Sequence, residues 1–354
     1  MLRQPQMTSS DRVAALLNGQ QIDRIPWFSF ALGFCAYNVG YPIATIYKSP
    51  EKSFRAQIDT QEMYGYDSDP FYAYASYGSW EFGGQIEFPS SELTQAPTVS
   101  HYPVQSEEDI DRLELPDITT AGMLPLAMKF SKLQESFGLP ISVVVGGPFT
   151  IAGNICAAER LCRWMIKKPE LAEQLIWLAS DHILGVIRHW AETFKAQNII
   201  PQIWEPLATN QLISPRLFET FVLPIQRQLH KEILAMGIKH ILCHICGEQN
   251  LNLPYYAQIP MGNPGIVSFG HEVDLNTAIR YFGDSCVIAG NVEPQVIQNG
   301  TPQEVYELSK QCIEKGKQSP KGFVLMPGCE LPPMAPPYNV YMLKKAVNDF
   351  GWYD

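Results

Sequence analysis

The sequence has little positive charge and no long apolar run. Its 354 residues include 26 lysines and arginines against 36 aspartates and glutamates, so the formal net charge is −10. Nucleic-acid binding depends on neutralising phosphates, and this balance argues against a nucleic-acid partner. No apolar segment is long enough to span a bilayer, and residues 1–17 carry no apolar signal-peptide core. The composition predicts a soluble protein with no membrane or nucleic-acid partner.

Cysteine is also sparse, with eight residues scattered along the chain. A secreted disulfide scaffold concentrates its cysteines in a short chain, so this distribution favours reduced thiols and a cytoplasmic location. The sequence Gly-x-Gly-x-x-Gly does not follow any strand-like run, which weakens the hypothesis of a dinucleotide-binding domain. Hydrophobic residues make up 46% of the chain, enough for a sizeable core.

Strand-like and helix-like segments alternate along the chain. The strand-like runs are 27–30, 69–74, 141–145, 199–204, 239–246, 265–269, 286–290 and 322–327. Apolar strands that alternate with helices indicate a parallel sheet buried on both faces. Eight such units with no linker between halves predict a single α/β domain over residues 1–354, a (β/α)8 TIM barrel. An N-terminal helical extension precedes it, and a β-hairpin-rich insertion with a turn at Gly83-Gly84 follows the early strands.

Three residues at the ends of strand-like runs predict a metal site. His244 and Cys246 end one run, and Cys329 ends the last. Because strand residues alternate sides, His244 and Cys246 share a face and Cys243 points the other way. The carboxyl ends of barrel strands meet at one face, so Cys329 is expected beside them. One imidazole and two thiolates suit zinc with a position open for substrate, whereas the alternative is a buried core histidine and cysteine.

Other polar residues follow the same strand ends. Glu205 follows the fourth run and is a candidate fourth metal ligand or catalytic base, the alternative being a solvated carboxylate at a loop edge. Glu330 directly follows Cys329, and alternation predicts that it turns away from the metal. His271 lies beyond the sixth run, where it is a candidate for lining the mouth of the barrel or a simple polar loop residue.

This ligand set favours chemistry on sulfur. Two thiolates and an imidazole make zinc relatively electron-rich, which suits it poorly to activating water. Coordination to a metal deprotonates a thiol, and the thiolate is the nucleophilic form of sulfur. The residues therefore predict alkyl transfer to a thiol.

Several segments resemble the uroporphyrinogen decarboxylase superfamily over nearly the whole chain. They are Asp11-Arg12, Asp23-Arg24-Ile25-Pro26, Gly147-Pro148-Phe149-Thr150, Gly290-Asn291-Val292-Glu293-Pro294 and Pro327-Gly328-Cys329-Glu330-Leu331-Pro332. The family's fold is a (β/α)8 barrel. His244, Cys246 and Cys329 look like the zinc ligands of its corrinoid-dependent methyltransferase branch, whose members are similar to methylcobalamin:coenzyme M methyltransferase.

The resemblance implies a zinc-dependent methyltransferase. A methyl group would move between a methylcobalamin-type corrinoid, carried by a corrinoid-binding partner protein, and a small thiol held as zinc thiolate. The residues implied to shape the corrinoid-facing mouth are Gly147, Pro148, Phe149, Thr150, Asn291 and, more weakly, His271. Glu205 lies where some members have an acidic metal ligand before proline.

The sequence departs from true uroporphyrinogen decarboxylase, which holds its many substrate carboxylates with an arginine-rich stretch near the N-terminus. The equivalent residues 27–34 contain no arginine, and an apolar mouth cannot offset desolvated carboxylates. Porphyrinogen decarboxylation is therefore not expected. Two alternatives stay open: a corrinoid–tetrahydrofolate methyltransferase without a catalytic metal, and a non-catalytic barrel with a structural or sensing zinc. The identity of the thiol, the corrinoid partner, the direction of transfer and the oligomeric state stay open.

Overall fold

Helices surround a parallel β-sheet in the computed structural model, which describes residues 3–353. Residues 1, 2 and 354, which the one-domain prediction includes, lie outside the described residues. The strands are β1 (Gln85–Glu87), β2 (Thr98–His101), β3 (Ile141–Gly146), β4 (Ile199–Trp204), β5 (Leu242–Ile245), β6 (Gly265–Phe269), β7 (Cys286–Val292) and β8 (Phe323–Pro327).

The α-helices precede, separate and follow these strands. They are α1 (Ser9–Leu17), α2 (Gly33–Asn38), α3 (Ala44–Lys48), α4 (Pro50–Tyr64), α5 (Leu124–Ser136), α6 (Pro148–Cys156), α7 (Ala158–Lys167), α8 (Pro169–Phe194), α9 (Pro215–Leu217), α10 (Leu223–Ala235), α11 (Leu253–Tyr256), α12 (Leu275–Phe282), α13 (Pro294–Asn299), α14 (Pro302–Gly316) and α15 (Pro337–Phe350). Among the described residues, no helix is long and apolar enough to cross a membrane.

Six strands form the parallel sheet, in the order β3-β4-β5-β6-β7-β8. Every residue of β5, β6, β7 and β8 is buried, as expected for a sheet covered on both faces. Each of these strands leads into a helix, and all six have their carboxyl ends at one edge. The predicted TIM-barrel architecture is confirmed by this repeated parallel unit, and that edge is where chemistry is expected.

The first predicted strand, at residues 27–30, is only a fragment of a strand beside β8. Trp27 forms a single parallel bridge with Leu325. The amide of Phe28 donates to the Leu325 carbonyl, and the Leu325 amide donates to the Pro26 carbonyl. This run therefore occupies the place of a barrel strand without continuous pairing.

The second predicted strand, at residues 69–74, is wrong as a regular strand. The described backbone from 65 to 74 has no strand pairing. The Gln57 side chain on α4 instead accepts a hydrogen bond from the Phe71 amide and donates one to the Phe71 carbonyl, both at 2.9 Å. A side-chain amide thus satisfies the backbone groups that a neighbouring strand would otherwise pair.

The insertion contains the predicted hairpin, but the turn of the hairpin is not at Gly83-Gly84. β1 and β2 pair antiparallel, with Ile86 opposite Val99. Gly83 and Gly84 precede β1 instead of joining the two strands. Residues 88–97 connect the two strands. This segment contains two prolines and is longer than the two-residue turn that a Gly-Gly pair favours.

A buried ion-pair network fixes α1 to the start of the barrel. Asp67 accepts hydrogen bonds from Arg12 at 2.6 Å, from Arg24 at 2.8 Å and from the Trp27 amide at 3.0 Å. Arg12 also donates to Asp23 at 2.6 Å. Burial would raise the pKa of Asp23, but the Arg12 hydrogen bond and two backbone amides lower it to about 2. Arg12, Asp23 and Arg24, from the two Asp-Arg motifs of the sequence, thus stabilise the packing of α1 against the barrel.

Candidate metal centre

His244, Cys246 and Cys329 lie together at the carboxyl edge of the sheet. His244 is on β5, Cys246 directly follows β5, and Cys329 lies two residues after β8. One ligand atom from each residue lies within 4.8 Å of the other two. Among the residues 3–353, no other group of three histidine, cysteine or acidic side chains meets this condition. The convergence predicted from strand alternation is present in the structure.

A contact with Ser268 orients the His244 ring. Its Nδ1 lies 2.9 Å from the Ser268 hydroxyl, and that hydroxyl donates its proton to the Met326 sulfur at 3.6 Å. The tautomer with the hydrogen on Nδ1, donated to the Ser268 oxygen, leaves a lone pair on Nε2. The Nε2 atom is buried and has no hydrogen-bond partner among the described residues. A metal ligand needs this arrangement, with one ring nitrogen anchored and the other free.

The two thiols interact directly. The pKa of Cys246 is raised by its hydrogen bond to the Cys329 sulfur and by burial. The pKa of Cys329 is lowered because it accepts that hydrogen bond and lies beside His244, against the opposing effect of burial. Two adjacent, half-buried thiols resist ionising together in the absence of a cation. A divalent metal removes this conflict because it stabilises both thiolates.

Close backbone packing brings the strand ends together. A Cβ atom on Gly328 would lie 2.8 Å from the His271 amide nitrogen, which is closer than real Cβ contacts allow. The residue before Cys329 must therefore be glycine for β8 to approach the loop after β6. Phe30 and Trp204 flank the opposite side of His244, with ring centroids 4.9 and 5.8 Å from the imidazole.

Glu205 lies at the amino end of α6 and not within the three-residue cluster. Its carboxylate accepts hydrogen bonds from the Phe149 amide at 3.0 Å, the Thr150 amide at 2.8 Å and the Thr150 hydroxyl. Gly147 permits this approach, since a Cβ there would lie 2.2 Å from Glu205 Oε2. Burial raises the pKa of Glu205 to about 7 against these hydrogen bonds, which lower it. Both carboxylate oxygens thus accept hydrogen bonds from α6, which connects the end of β4 to the helix that follows β3.

Replacing Glu205 by glutamine should change how stability depends on pH. The folded pKa of about 7 exceeds the ordinary value of 4.5, so the Glu205 contribution is complete below pH 4.5 and is lost as pH rises through 7. The free energy of unfolding of the wild-type protein should fall by about 3 kcal/mol from this group across that pH range. Glutamine does not ionise, so Glu205→Gln should lack this decrease. Urea unfolding at pH 5, 6, 7 and 8 measures the slope, and parallel curves for the two proteins would contradict the expectation.

The other predicted site residues take supporting positions. Pro148, Phe149 and Thr150 are buried at the start of α6, and Phe149 and Thr150 donate hydrogen bonds to Glu205. Asn291 is also buried, and its amide donates to the carbonyls of Gly270 at 3.0 Å and Val273 at 2.7 Å. These contacts fix the loop after β6. The role in corrinoid binding stays a prediction for these residues.

His271 lies in the loop after β6, and its place at the mouth of the barrel stays a prediction. Its side chain is 39% exposed, and its ring nitrogens lie 3.6 Å from Glu272 and 3.8 Å from Glu293. Glu330 turns away from the metal cluster, as alternation predicts. Glu330 is half-buried and accepts a hydrogen bond from the Gly33 amide at 3.3 Å. Burial raises the pKa of Glu330 to about 8.

The sequence analysis missed Ser268 and the two aromatic rings. Trp204 pairs with His244 in the β4–β5 register, and His244 pairs with Ser268 in the β5–β6 register. These residues thus form one row across three strands. The β5–β6 register places the Ser268 hydroxyl next to His244, and the predicted ends of the two strands do not determine that register.

The chain belongs to the uroporphyrinogen decarboxylase family. Residues 8–350 match the family described as Uroporphyrinogen decarboxylase (URO-D). The superfamily resemblance predicted from the motifs is therefore confirmed. The family includes proteins of more than one activity, so membership alone does not define the reaction.

Relatives within the family are named methyltransferases. The chain is 30% identical to a methylated-thiol–coenzyme M methyltransferase of Methanosarcina mazei over 62% of its own length and 58% of that protein. It is 25% identical to the methylcobamide:CoM methyltransferase MtaA of Methanosarcina barkeri over 98% of its length and 99% of that protein. The predicted methyltransferase branch is confirmed by these matches.

A solved structure shares the fold. The chain superposes on a methyltransferase from Methanosarcina mazei with a TM-score of 0.82, over 98% of this chain and 99% of that one. The two sequences are 23% identical. This match confirms the predicted architecture from end to end.

Proposed function

We propose that this protein transfers a methyl group between a methylated corrinoid and a small thiol, with a zinc ion held by His244, Cys246 and Cys329. The corrinoid is carried by a partner protein. The relatives support this class of reaction, since their names specify methylcobamide, methylated thiols and coenzyme M.

One observation supports the metal more than any other. The buried Nε2 of His244 has no hydrogen-bond partner among the described residues, and a ring nitrogen of His244 lies within 4.8 Å of two thiols that contact each other. A buried polar atom without a partner is costly, and a metal ion at this point satisfies it. The donor set of one nitrogen and two sulfurs fits zinc and leaves a coordination position open.

The residues around the cluster serve the proposed reaction in separate ways. Bound zinc would hold the incoming thiol as a thiolate, the form that attacks a methyl carbon. Ser268 keeps the His244 tautomer that presents Nε2. Phe30 and Trp204 pack against the imidazole and exclude water from one side of it. Glu205, with its oxygens engaged at α6, is proposed to position β4 relative to β5 instead of ligating the metal.

The proposal is tested by combining metal analysis with a demethylation assay. The purified protein is expected to contain one zinc per chain and to demethylate methylcobalamin when a thiol is added, which changes the visible spectrum of the corrinoid. Activity is expected to vanish after removal of zinc by a chelator and to return when zinc is restored.

Other outcomes separate the alternatives. Turnover with tetrahydrofolate in the chelator-treated protein would favour the metal-independent corrinoid enzyme. One tightly bound zinc without turnover for any acceptor would favour a structural or sensing site. Either result contradicts the proposed reaction.

A further inference from the structure

One face of β4 is open to the inside of the barrel. Ile200, Gln202 and Trp204 are half-buried, while the alternate residues of the strand are buried. The three half-buried side chains line an interior cavity of about 90 Å³. Barrel interiors are normally filled by layers of bulky side chains, and one water molecule needs only about 10–15 Å³. The interior of this barrel therefore has room for a ligand of a few non-hydrogen atoms.

Three polar side chains line this cavity without a partner in the protein. They are Asp69 in the segment after α4, Ser142 on β3 and Gln202 on β4. Among the described residues, none of the three side chains makes a hydrogen bond or an ion pair. Polar groups that leave bulk water normally have a partner, so these groups indicate a ligand or ordered water in the cavity.

Asp69 carries the uncompensated charge of this region. Asp67 also lines the cavity, but it is bound to Arg12 and Arg24. Arg12 binds Asp23 as well, so two carboxylates balance two guanidiniums. Burial raises the pKa of Asp69 to about 6, and the carboxyl group is therefore ionised at pH 8. A half-buried carboxylate of this kind is stabilised by a nearby cation.

The opposite end of the cavity is aromatic. Phe30, Phe71 and Trp204 line it, with ring centroids 5.0, 5.8 and 6.0 Å from one another. Aromatic rings attract organic cations as well as alkyl groups. A bare metal ion fits less well, because calcium and magnesium take about six or more oxygen ligands and three unpartnered side chains line this cavity. The lining thus favours a small organic cation.

The cavity adjoins a groove of about 530 Å³ between α1 and the amino ends of β3 and β4. Five residues line both spaces: Val13, Leu17, Asp69, Pro140 and Ile200. The thiols of Cys246 and Cys329 lie at the carboxyl edge and do not line the cavity. A ligand that enters from this groove therefore meets Asp69 first and does not pass the two thiols.

We propose that the barrel interior is a second binding site, separate from the metal centre, for a small alkylammonium ion. Its ammonium group binds Asp69 and the oxygens of Ser142 and Gln202. Its alkyl part lies against Phe30, Phe71 and Trp204. This site does not depend on the proposed methyl transfer, because its polar groups lie on other strands than the three candidate metal ligands.

Isothermal titration calorimetry of the purified protein at pH 8 tests the proposal. Propylammonium chloride and 1-propanol have the same number of non-hydrogen atoms and differ in charge, and each is titrated at constant ionic strength in sodium chloride. Propylammonium is expected to bind one per chain with a Kd at least about tenfold lower than that of propanol. Equal binding of the two compounds, or no heat from either, overturns the proposal.

Three variants locate the ligand. Asp69→Asn keeps the shape of the side chain and should raise the Kd of propylammonium at least about tenfold. Ser142→Leu places a larger side chain in the cavity and should abolish binding. Glu135→Gln is the matched control, because Glu135 lines the outer groove and not the cavity. It should leave the Kd unchanged.

The outcomes also separate this site from the outer groove and from the metal centre. Circular dichroism and zinc content verify that each variant keeps its fold and its metal centre. Loss of binding in Glu135→Gln, with unchanged binding in Asp69→Asn, places the cation in the groove and overturns the proposal. Unchanged binding in a folded Ser142→Leu protein also overturns it. Binding of propylammonium to the wild-type protein without any demethylation activity supports this site and contradicts only the proposed reaction.

Discussion

Cys246→Ala and Cys329→Ala are each expected to lose stoichiometric zinc and all measurable thiol-dependent demethylation. Each change removes one of the three ligand atoms that lie within 4.8 Å of one another. The remaining two donors leave a zinc ion without the three protein ligands typical of a catalytic site. The loss of zinc affinity should exceed the 10–100-fold typical of removing a residue that hydrogen-bonds to a ligand. Metal content after dialysis and the demethylation rate measure both effects.

Cys243→Ala provides the matched control on the same strand. Cys243 is buried and faces away from the cluster, with its sulfur 3.7 Å from the Gln226 side chain. Burial raises the pKa of this thiol, as expected for a cysteine with no cation nearby. The variant should retain one zinc and nearly full activity. Loss of zinc in Cys243→Ala, or its retention in both ligand variants, would contradict the assignment.

Ser268→Ala should have an intermediate effect. It removes the hydroxyl that fixes the His244 tautomer and leaves all three ligands in place. The expected loss of zinc affinity is about 10–100-fold. Competition with a chromophoric chelator measures it, and an unchanged affinity would show that the hydroxyl does not orient the ring.

The three candidate ligands could be predicted because two simple rules place them. Strand alternation separates Cys243 from His244 and Cys246, and the meeting of strand ends brings Cys329 to the same edge. Both rules depend only on local sequence and on the barrel architecture. Ser268 was missed because its contact with His244 depends on the β5–β6 register, which local patterns do not determine.

A long-range side-chain contact accounts for the wrongly predicted second strand. Residues 69–74 have a strand-like pattern, but Gln57, more than ten residues earlier, takes the hydrogen bonds of Phe71. Glu205 follows a strand end, and its role as a metal ligand stays a prediction. Its carboxylate accepts hydrogen bonds from amides of α6, a contact that depends on where α6 begins relative to the end of β4.

The largest effect on stability is expected from Asp67→Ala. Asp67 is buried and accepts hydrogen bonds from two buried guanidiniums and the Trp27 amide. Removing this acceptor leaves the buried Arg24 without an acidic partner, while Arg12 keeps only Asp23. Breaking a buried pair in this way costs about 3–5 kcal/mol. The midpoint of urea unfolding should fall accordingly, with the slope of the transition unchanged.

Asp59→Ala is the matched control for this loss, because it removes a carboxylate from an ion pair that water reaches. The Arg55 partner of Asp59 is 66% exposed, and the two residues are one helical turn apart on α4. Such a pair contributes about 0.3–0.5 kcal/mol, so the control should unfold close to the wild-type midpoint. Equal losses in the two variants would mean that burial does not distinguish the pairs. A larger loss in Asp67→Ala would show that the buried ion pairs of Arg12 and Arg24 stabilise the barrel.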